Sequence, residues 1–408
     1  MGAGRHRTEP ERFPVGANAT LQELEADPHA LLARLREHEP VSWLPALDGW
    51  LVTRRDLAMQ VMRDPATFTV DDERFSTGQV VGPSMLTRDG EEHRRHRDPF
   101  ARPFRRDAVH ARFTELVVEE TERLIDELEP AGAAELRRSL AGPLAVAVMT
   151  RALGLQDVDA GFVLGWYDRI VAAVTDITAG RPPSADGRDA YAALSAAIGP
   201  ALDRAPGDSL LASAAGEAGG LSSEHVISNA AVLLFGGIET TEGMITNAIW
   251  HLLSHPDQLA LVRATPALRV NAIEESLRLE PAAAIVDRYA TTDVELAGAP
   301  IARGDLVRVS IAGANRDPAV FADPDRFDVK RSNAHRHVAF AHGPHACIAM
   351  HLARLEAHTA VERLLSRLPG LCLDPANPTV PRGLVFRKPP EVWVLWAREA
   401  PVHRRPIR

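Results

Sequence analysis

The chain has 408 residues, with 46 Lys and Arg against 55 Asp and Glu, giving a formal net charge of −9. That balance disfavours general binding to nucleic acid or anionic membrane, since long-range steering would be repulsive, and an apolar content of 45% excludes a disordered chain. Two cysteines, Cys347 and Cys372, make no disulfide framework; with no signal-peptide core and no membrane-length apolar run, the reading is a cytoplasmic protein without a membrane anchor.

Apolar residues at three-and-four spacing predict helices over 21–38, 107–128, 142–153, 160–178, 188–204, 222–254, 257–279 and 347–368. Ser222 and Ser223 precede Glu224 in the manner of an N-cap, and Pro256, Pro281 and Pro369 close helical runs. Short β-branched pieces at 49–53, 285–290, 294–296, 306–311 and 392–396 predict small sheets attached to the helical body. The first 20 residues read as a flexible N-terminal segment, and 178–187 (TAGRPPSADG) as a mobile helix–helix connection. No repeat and no Gly-, Ser- or Pro-rich linker divides the chain. The expectation is one mainly α domain over 1–408 with small β-sheets. Of the basic residues only Lys330 and Lys388 are lysine, a bias that coding composition explains.

Residues 337–356 read HVAFAHGPHACIAMHLARLE, a turn with Gly343 and Pro344 followed by an apolar helix predicted to begin at Cys347. A thiolate at a helix N-terminus is stabilised by free N–H groups and the positive end of the dipole. Haem iron is the metal that suits a single cysteine, whereas zinc needs three or four ligands. On these residues alone, Cys347 could equally be a small core residue. It could also belong to a His-rich metal site with His335, His337, His342 and His345.

Three further constellations stand out. The helix over 222–254, roughly 50 Å long, carries LLFGGIETTEG at its centre. Gly236 and Gly237 weaken it where Thr240 can bond back to a carbonyl one turn earlier, predicting a groove or bulge fit for dioxygen and water. Burial of Glu239 there makes sense if it is hydrated or relays protons. Glu275 and Arg278 in EESLR are spaced i, i+3, as in an ordinary surface ion pair. His93 and Arg97 in EEHRRHR face one side of a helical turn, within a basic run that includes Arg94, Arg95, Arg102, Arg105, Arg106 and Arg112.

Together these segments resemble the cytochrome P-450 family. Phe340, Gly343, His345 and Cys347 match its Phe-x-x-Gly-x-His/Arg-x-Cys signature, and Gly236, Gly237, Glu239 and Thr240 match its Ala/Gly-Gly-x-Asp/Glu-Thr. Glu275 and Arg278 match its Glu-x-x-Arg, and Arg326 in FADPDRFD matches the arginine that completes that charge network. His93 and Arg97 match its His-x-x-x-Arg. The likeness runs from ALLARLREHEPVSW to the C-terminal strands, and order and spacing make it specific. Ala341 and Ala349 depart from it, standing where the family usually has glycine.

The resemblance implies a triangular helical body with a long central helix over haem b, and a bacterial-type haem-thiolate monooxygenase. Cys347 would be the axial ligand, with Phe340 shielding its sulfur. His93, Arg97, Arg288 and His345 would hold the propionates. Glu239 and Thr240 would manage protons while dioxygen is split. The structural lock would be Glu275, Arg278 and Arg326. Substrate would be an apolar small molecule facing Met85, Leu86, Leu233, Ile238, Ala283, Ala284, Ile285, Val286, Leu384, Val385 and Phe386. Electrons would come from NAD(P)H through a ferredoxin or flavodoxin-like donor and its reductase, docking near the basic 93–112 segment. Rival readings are a peroxide-driven or ring-coupling enzyme of the same kind, a haem-binding sensor, and a haem-free His/Cys metal protein.

Overall fold

The computed structural model describes residues 11–155, 158–182, 185–204, 209–211 and 221–397. Of the segment expected to be flexible over 1–20, residues 1–10 lie outside the described residues, and the part from Phe13 onward packs into the fold. Phe13 is buried against Trp50, with 5.2 Å between ring centroids, and α1 (Pro14–Ala17) follows at once. The helix predicted over 21–38 is two helices, α2 (Leu21–Ala26) and α3 (His29–His38). Pro28 forces the break, holding Asp27 extended at φ −145°.

There follow β1 (Val41–Leu44), β2 (Gly49–Val52), α4 (Arg55–Arg63), β3 (Phe68–Thr69), α5 (Ser76–Val81), α6 (Gly90–Ala101) and α7 (Arg106–Leu128). Next come β4 (Ala133–Glu135), α8 (Gly142–Leu153), α9 (Ala160–Thr178) and α10 (Ala185–Arg204). The connection expected over 178–187 spans the end of α9 and the start of α10, with 183–184 outside the described residues.

The long helix is α11 (Ser223–Ser254), and the side chain of Ser222 caps it by accepting the His225 N–H. It is buried around most of its circumference, as a helix apolar on all sides must be. It runs unbroken through Gly236 and Gly237, so of the expected groove or bulge there is no bulge, while both glycines line a cavity. Then α12 (Pro256–Ala264) and α13 (Leu268–Leu279) replace the single helix predicted over 257–279. Pro266 divides them and keeps Thr265 out of the helical region, at φ −132° and ψ 84°.

The chain continues through β5 (Ile285–Ala290), β6 (Val294–Leu296), β7 (Ala299–Ile301), β8 (Leu306–Ser310), α14 (Ile311–Ala314), α15 (Met350–Arg367), β9 (Cys372–Leu373) and β10 (Trp393–Leu395). One five-stranded sheet has the order β1-β2-β8-β5-β3, and a second pairs β4-β10-β9. The largest core cluster joins α7, α8, α9, α11 and α15 through residues such as Phe113, Leu144, Tyr167, Ile245 and Leu352. A second cluster backs the five-stranded sheet. The cavity described next lies where α11, α15, β5 and α5 approach one another.

Candidate active site

The turn that presents Cys347 is shaped by two left-handed residues, Ala341 at φ +57° and Gly343 at φ +76°. A Cβ on Gly343 would lie 2.4 Å from the Met62 carbonyl oxygen on α4, so only glycine fits. Ala341 adopts the same region at a cost of roughly 1–2 kcal/mol. The Cys347 N–H closes the turn on the Phe340 carbonyl at 2.8 Å. The helix predicted from Cys347 starts at Met350, so the thiol stands just ahead of the first helical turn. Its sulfur still receives the Ala349 N–H. Burial pushes the thiol up, and that hydrogen bond, Arg97 and Arg354 oppose the rise. Ala349 sits at an ordinary φ of −97°, so its methyl brings no backbone strain. Phe340 lines the same cavity as Cys347 and is held from behind by the Arg354 guanidinium, 4.5 Å from the ring centroid.

The cavity wall on α11 consists of Val232, Leu233, Phe235, Gly236, Gly237, Thr240, Thr241 and Met244. This repeat of three and four is the stripe that one helical face presents. Thr240 Oγ1 donates to the Gly236 carbonyl at 2.6 Å, the back-bond its spacing predicts. Gly237 is also a packing residue, since a Cβ there would meet Met149 Sδ on α8 at 2.6 Å. Glu239 does not reach the cavity. It is buried off the stripe, where Lys388 Nζ lies 2.8 Å from Oε1 and the Tyr167 hydroxyl donates to Oε2. Lys388 also reaches Glu242 Oε1 at 3.0 Å, and Arg137 pairs with the same carboxylate. Burial alone would raise Glu242, but these two cations hold it below the ordinary carboxylate range. Burial and the two glutamates push Tyr167 upward, so its proton stays on. The buried Glu239, expected from sequence to be hydrated or to relay protons, has Lys388 and Tyr167 as its side-chain partners.

The segment that delivers Lys388 is a tight hairpin. Arg382 and Lys388 bridge across it, and Gly383 turns it at φ +118°. Val385 and Phe386, between them, line the cavity. One short loop therefore touches both the cavity and the carboxylates behind α11.

Cationic and imidazole groups gather beside the Cys347 turn. Arg97 on α6 donates to the Ala346 carbonyl at 2.6 Å and lines the cavity. His93, one turn earlier, is buried with Nε2 unpartnered, and burial takes its pKa down to about 4. Its ring lies 4.3 Å from that of His345. Arg288 on β5 is buried and donates to its neighbour's carbonyl, while no carboxylate among the described residues pairs with it. Burial lowers its pKa to about 10. His345 Nε2 bonds Asp89 Oδ1 at 2.8 Å. Burial would raise that carboxyl, yet His345 and Thr69 bring it down to about 2. His337 and His342 turn instead to Glu274 and Arg63, so the His-rich stretch does not converge. Among the described residues no three His, Cys, Asp or Glu side chains form a metal cage.

Glu275 and Arg278 on α13 are fully buried and doubly bonded, at 2.7 and 2.8 Å, not a surface pair. The arginine that completes the network is Arg331, whose Nε lies 2.9 Å from Glu275 Oε1. Arg326 is exposed and contributes its backbone carbonyl, which accepts from both Arg278 and Arg331. Of the expected lining residues, Met85, Leu86, Leu233, Ala283, Ile285, Val286, Val385 and Phe386 face the cavity. Ile238, Ala284 and Leu384 do not; they pack into core clusters, Ile238 because it falls on the opposite side of α11 from Thr240. Sequence reasoning missed Tyr167, Lys388, Glu242, Arg137, Asp89 and Arg331. It also missed Glu356 on α15, a cavity-lining carboxyl that burial raises well above its ordinary range. The isolated lysine at 388 was the available signal for the first of these networks.

The profile of the cytochrome P-450 family matches residues 268–392. The chain is 37% identical to the cytochrome P-450 monooxygenase PikC of Streptomyces venezuelae, over 86% of this chain and 86% of that protein. It is 34% identical to the 20-oxo-5-O-mycaminosyltylactone 23-monooxygenase of Streptomyces fradiae, over 83% of this chain and 82% of that one. Among solved structures, the cytochrome P-450 enzyme CxnD, for C–S bond formation in chuangxinmycin biosynthesis, superposes with a TM-score of 0.84. The two are 29% identical, and the match covers 94% of this chain and 99% of that one. The mostly helical body and the identity along its length lead to one conclusion: this chain belongs to the cytochrome P-450 family, the haem-iron monooxygenases of the oxidoreductase class.

Proposed function

We propose that the protein oxidises an apolar natural-product-like molecule in secondary metabolism, with Cys347 as the axial ligand of haem b and one domain spanning the chain. The observation that carries this is the placement of the Cys347 thiol and of Gly236, Gly237 and Thr240 on α11 around one apolar cavity. The residues present fit the group. The unpartnered His93 Nε2 and the buried guanidinium groups of Arg97 and Arg288 supply donors for two carboxylates that the chain itself does not provide. Haem held there would supply dioxygen activation and its two-electron reduction.

The chain's own groups divide the remaining work. Cys347 receives the Ala349 N–H, which eases the negative charge on sulfur, and Phe340 covers that side against water. Thr240 places a hydroxyl in the α11 wall of the cavity. Glu239, with Lys388 and Tyr167, holds a proton-bearing network behind it. The exposed Arg94, Arg102, Arg105 and Arg106 adjoin the Cys347 turn through Arg97, a surface suited to an acidic ferredoxin or flavodoxin-like donor carrying electrons from NAD(P)H.

A spectrum of the reduced, CO-bound protein tests the ligand. A red-shifted Soret band that Cys347→Ala abolishes supports the reading, and an unshifted band in the unaltered protein overturns it. Turnover with peroxide alone, equal to that with dioxygen and reductant, would overturn dioxygen as the oxidant. The likeness to CxnD supports a second outcome at the same site, oxidative bond formation. Product mass separates the two: gain of one oxygen marks insertion, and loss of two hydrogens marks coupling.

A further inference from the structure

The cavity wall is mostly apolar, yet it includes Asp287, and an arginine on the neighbouring strand backs that carboxylate. Asp287 lies in the middle of β5 and lines the cavity, and its register partner on β8 is Arg308. Opposed residues on an antiparallel ladder share one face of the sheet. Their side chains are 11% and 5% exposed, and Asp287 Oδ1 lies 3.5 Å from Arg308 Nε. That is close enough for an ion pair but too long for a good hydrogen bond. Arg308 Nη2 donates at 2.8 Å to the carbonyl of Thr178, the last residue of α9 and another lining residue. Three buried polar atoms are left without hydrogen-bond partners: Nε and Nη1 of Arg308 and Oδ1 of Asp287.

Unpartnered buried atoms of this kind are costly, and a few polar groups in an apolar pocket are what fix a ligand's orientation. We propose that Asp287 and Arg308 form a polar subsite for a hydroxyl group on an otherwise apolar substrate. A hydroxyl both donates and accepts, so it satisfies Asp287 Oδ1 and an Arg308 N–H at once. A carboxylate would meet the charge of Asp287. An ammonium would meet the charge of Arg308. A hydrocarbon end would leave all three atoms unpaired, which is the basis on which such sites reject the analogue lacking the hydroxyl. The bond to Thr178 fixes the guanidinium before the ligand arrives, so little ordering is lost on binding.

The subsite rests on the monooxygenase reading, because the cavity is then the substrate site. The test uses haem-loaded protein and a length-graded series of 1-alkylimidazoles ending in methyl, hydroxyl, carboxylate or ammonium. Ring nitrogen binding to iron shifts the Soret band and reports affinity. At the length that reaches β5, the hydroxyl tail is expected to bind about tenfold tighter than the methyl tail. The two charged tails should gain nothing over methyl. Asp287→Ala and Arg308→Met should each bring the hydroxyl-to-methyl ratio near one while leaving the methyl tail's affinity within about twofold. A hydroxyl tail no better than methyl at every length, an advantage that survives both substitutions, or a carboxylate tail that binds tightest would overturn the subsite. If a variant fails to fold, the series on the unaltered protein decides alone. No Soret shift with any imidazole would instead overturn the haem reading beneath it.

Discussion

Lys388 Nζ lies 2.8 Å from Glu239 Oε1, tying the C-terminal hairpin to the long helix behind the cavity. The same ammonium group serves Glu242, whose side chain is fully buried. Removing it leaves two buried carboxylates with Arg137, Tyr167 and a more distant Arg138 as their remaining partners. Lys388→Met is therefore expected to lower the free energy of unfolding by about 3–5 kcal/mol. Adding Glu242→Gln should recover part of the loss. Urea unfolding of the single and double variants checks this, and a single variant as stable as the unaltered protein would sink the network.

Arg331 and Arg326 offer a sharper contrast, because they are five residues apart and only one reaches Glu275. Arg331→Ala leaves a buried carboxylate half-paired and should cost roughly 3–5 kcal/mol. Arg326→Ala keeps the carbonyl that does the bonding and should stay within about 0.5 kcal/mol. Equal losses would show that the exposed side chain matters after all.

Ala341 holds a left-handed backbone without being glycine. Ala341→Gly relieves that strain but frees the unfolded chain, for a net gain of about 1 kcal/mol. Thermal unfolding measures the gain, and a destabilised variant would mean the methyl contributes packing that outweighs its strain.

Thr240→Ala removes a hydroxyl in the cavity wall and its bond to Gly236. Haem content should be unchanged, while product formed per dioxygen consumed falls by roughly tenfold or more. Oxygen uptake followed alongside product and peroxide is the measurement. Unchanged coupling would remove Thr240 from proton handling.

Glu274 bonds Arg354 at 2.6 Å and His337 at 3.1 Å. Burial would raise its carboxyl, but these partners bring it from 4.5 down to about 2. A folded pKa below the unfolded one contributes stability in full above about pH 5, lost as pH falls toward 2. The contribution is on the order of 3 kcal/mol. Glu274→Gln should be less stable at neutral pH and show a flatter decline between pH 5 and pH 2. Parallel acid-unfolding curves for the two proteins would refute the assignment.

What could be read from sequence was what is encoded locally. The helices α8, α9 and α11 were legible because apolar periodicity and caps such as Ser222 mark them within a few neighbours. Pro28 and Pro266 were in plain view but were outvoted by periodicity on either side. The cysteine turn was legible as a motif, yet its left-handed alanine appears only when the backbone is seen. Lys388 pairs with a glutamate far away in the chain, and no local pattern carries such a contact. Arg331 was hidden for a different reason: the neighbouring Arg326 fits the motif, while guanidinium geometry chooses the partner. Ile238 could have been placed correctly, since the period that puts Gly236 and Thr240 on the cavity puts it on the other side.

The hairpin from Arg382 to Lys388 has a practical consequence for anyone reshaping this enzyme. Val385 and Phe386 invite substitution by a designer seeking a new substrate, because they border the cavity. Lys388 moves with them, and with it the clamp on Glu239. If Glu239 has the proton-handling role proposed for it, libraries built on this loop are expected to trade selectivity against wasted reductant and should be ranked on yield per electron as well as on conversion.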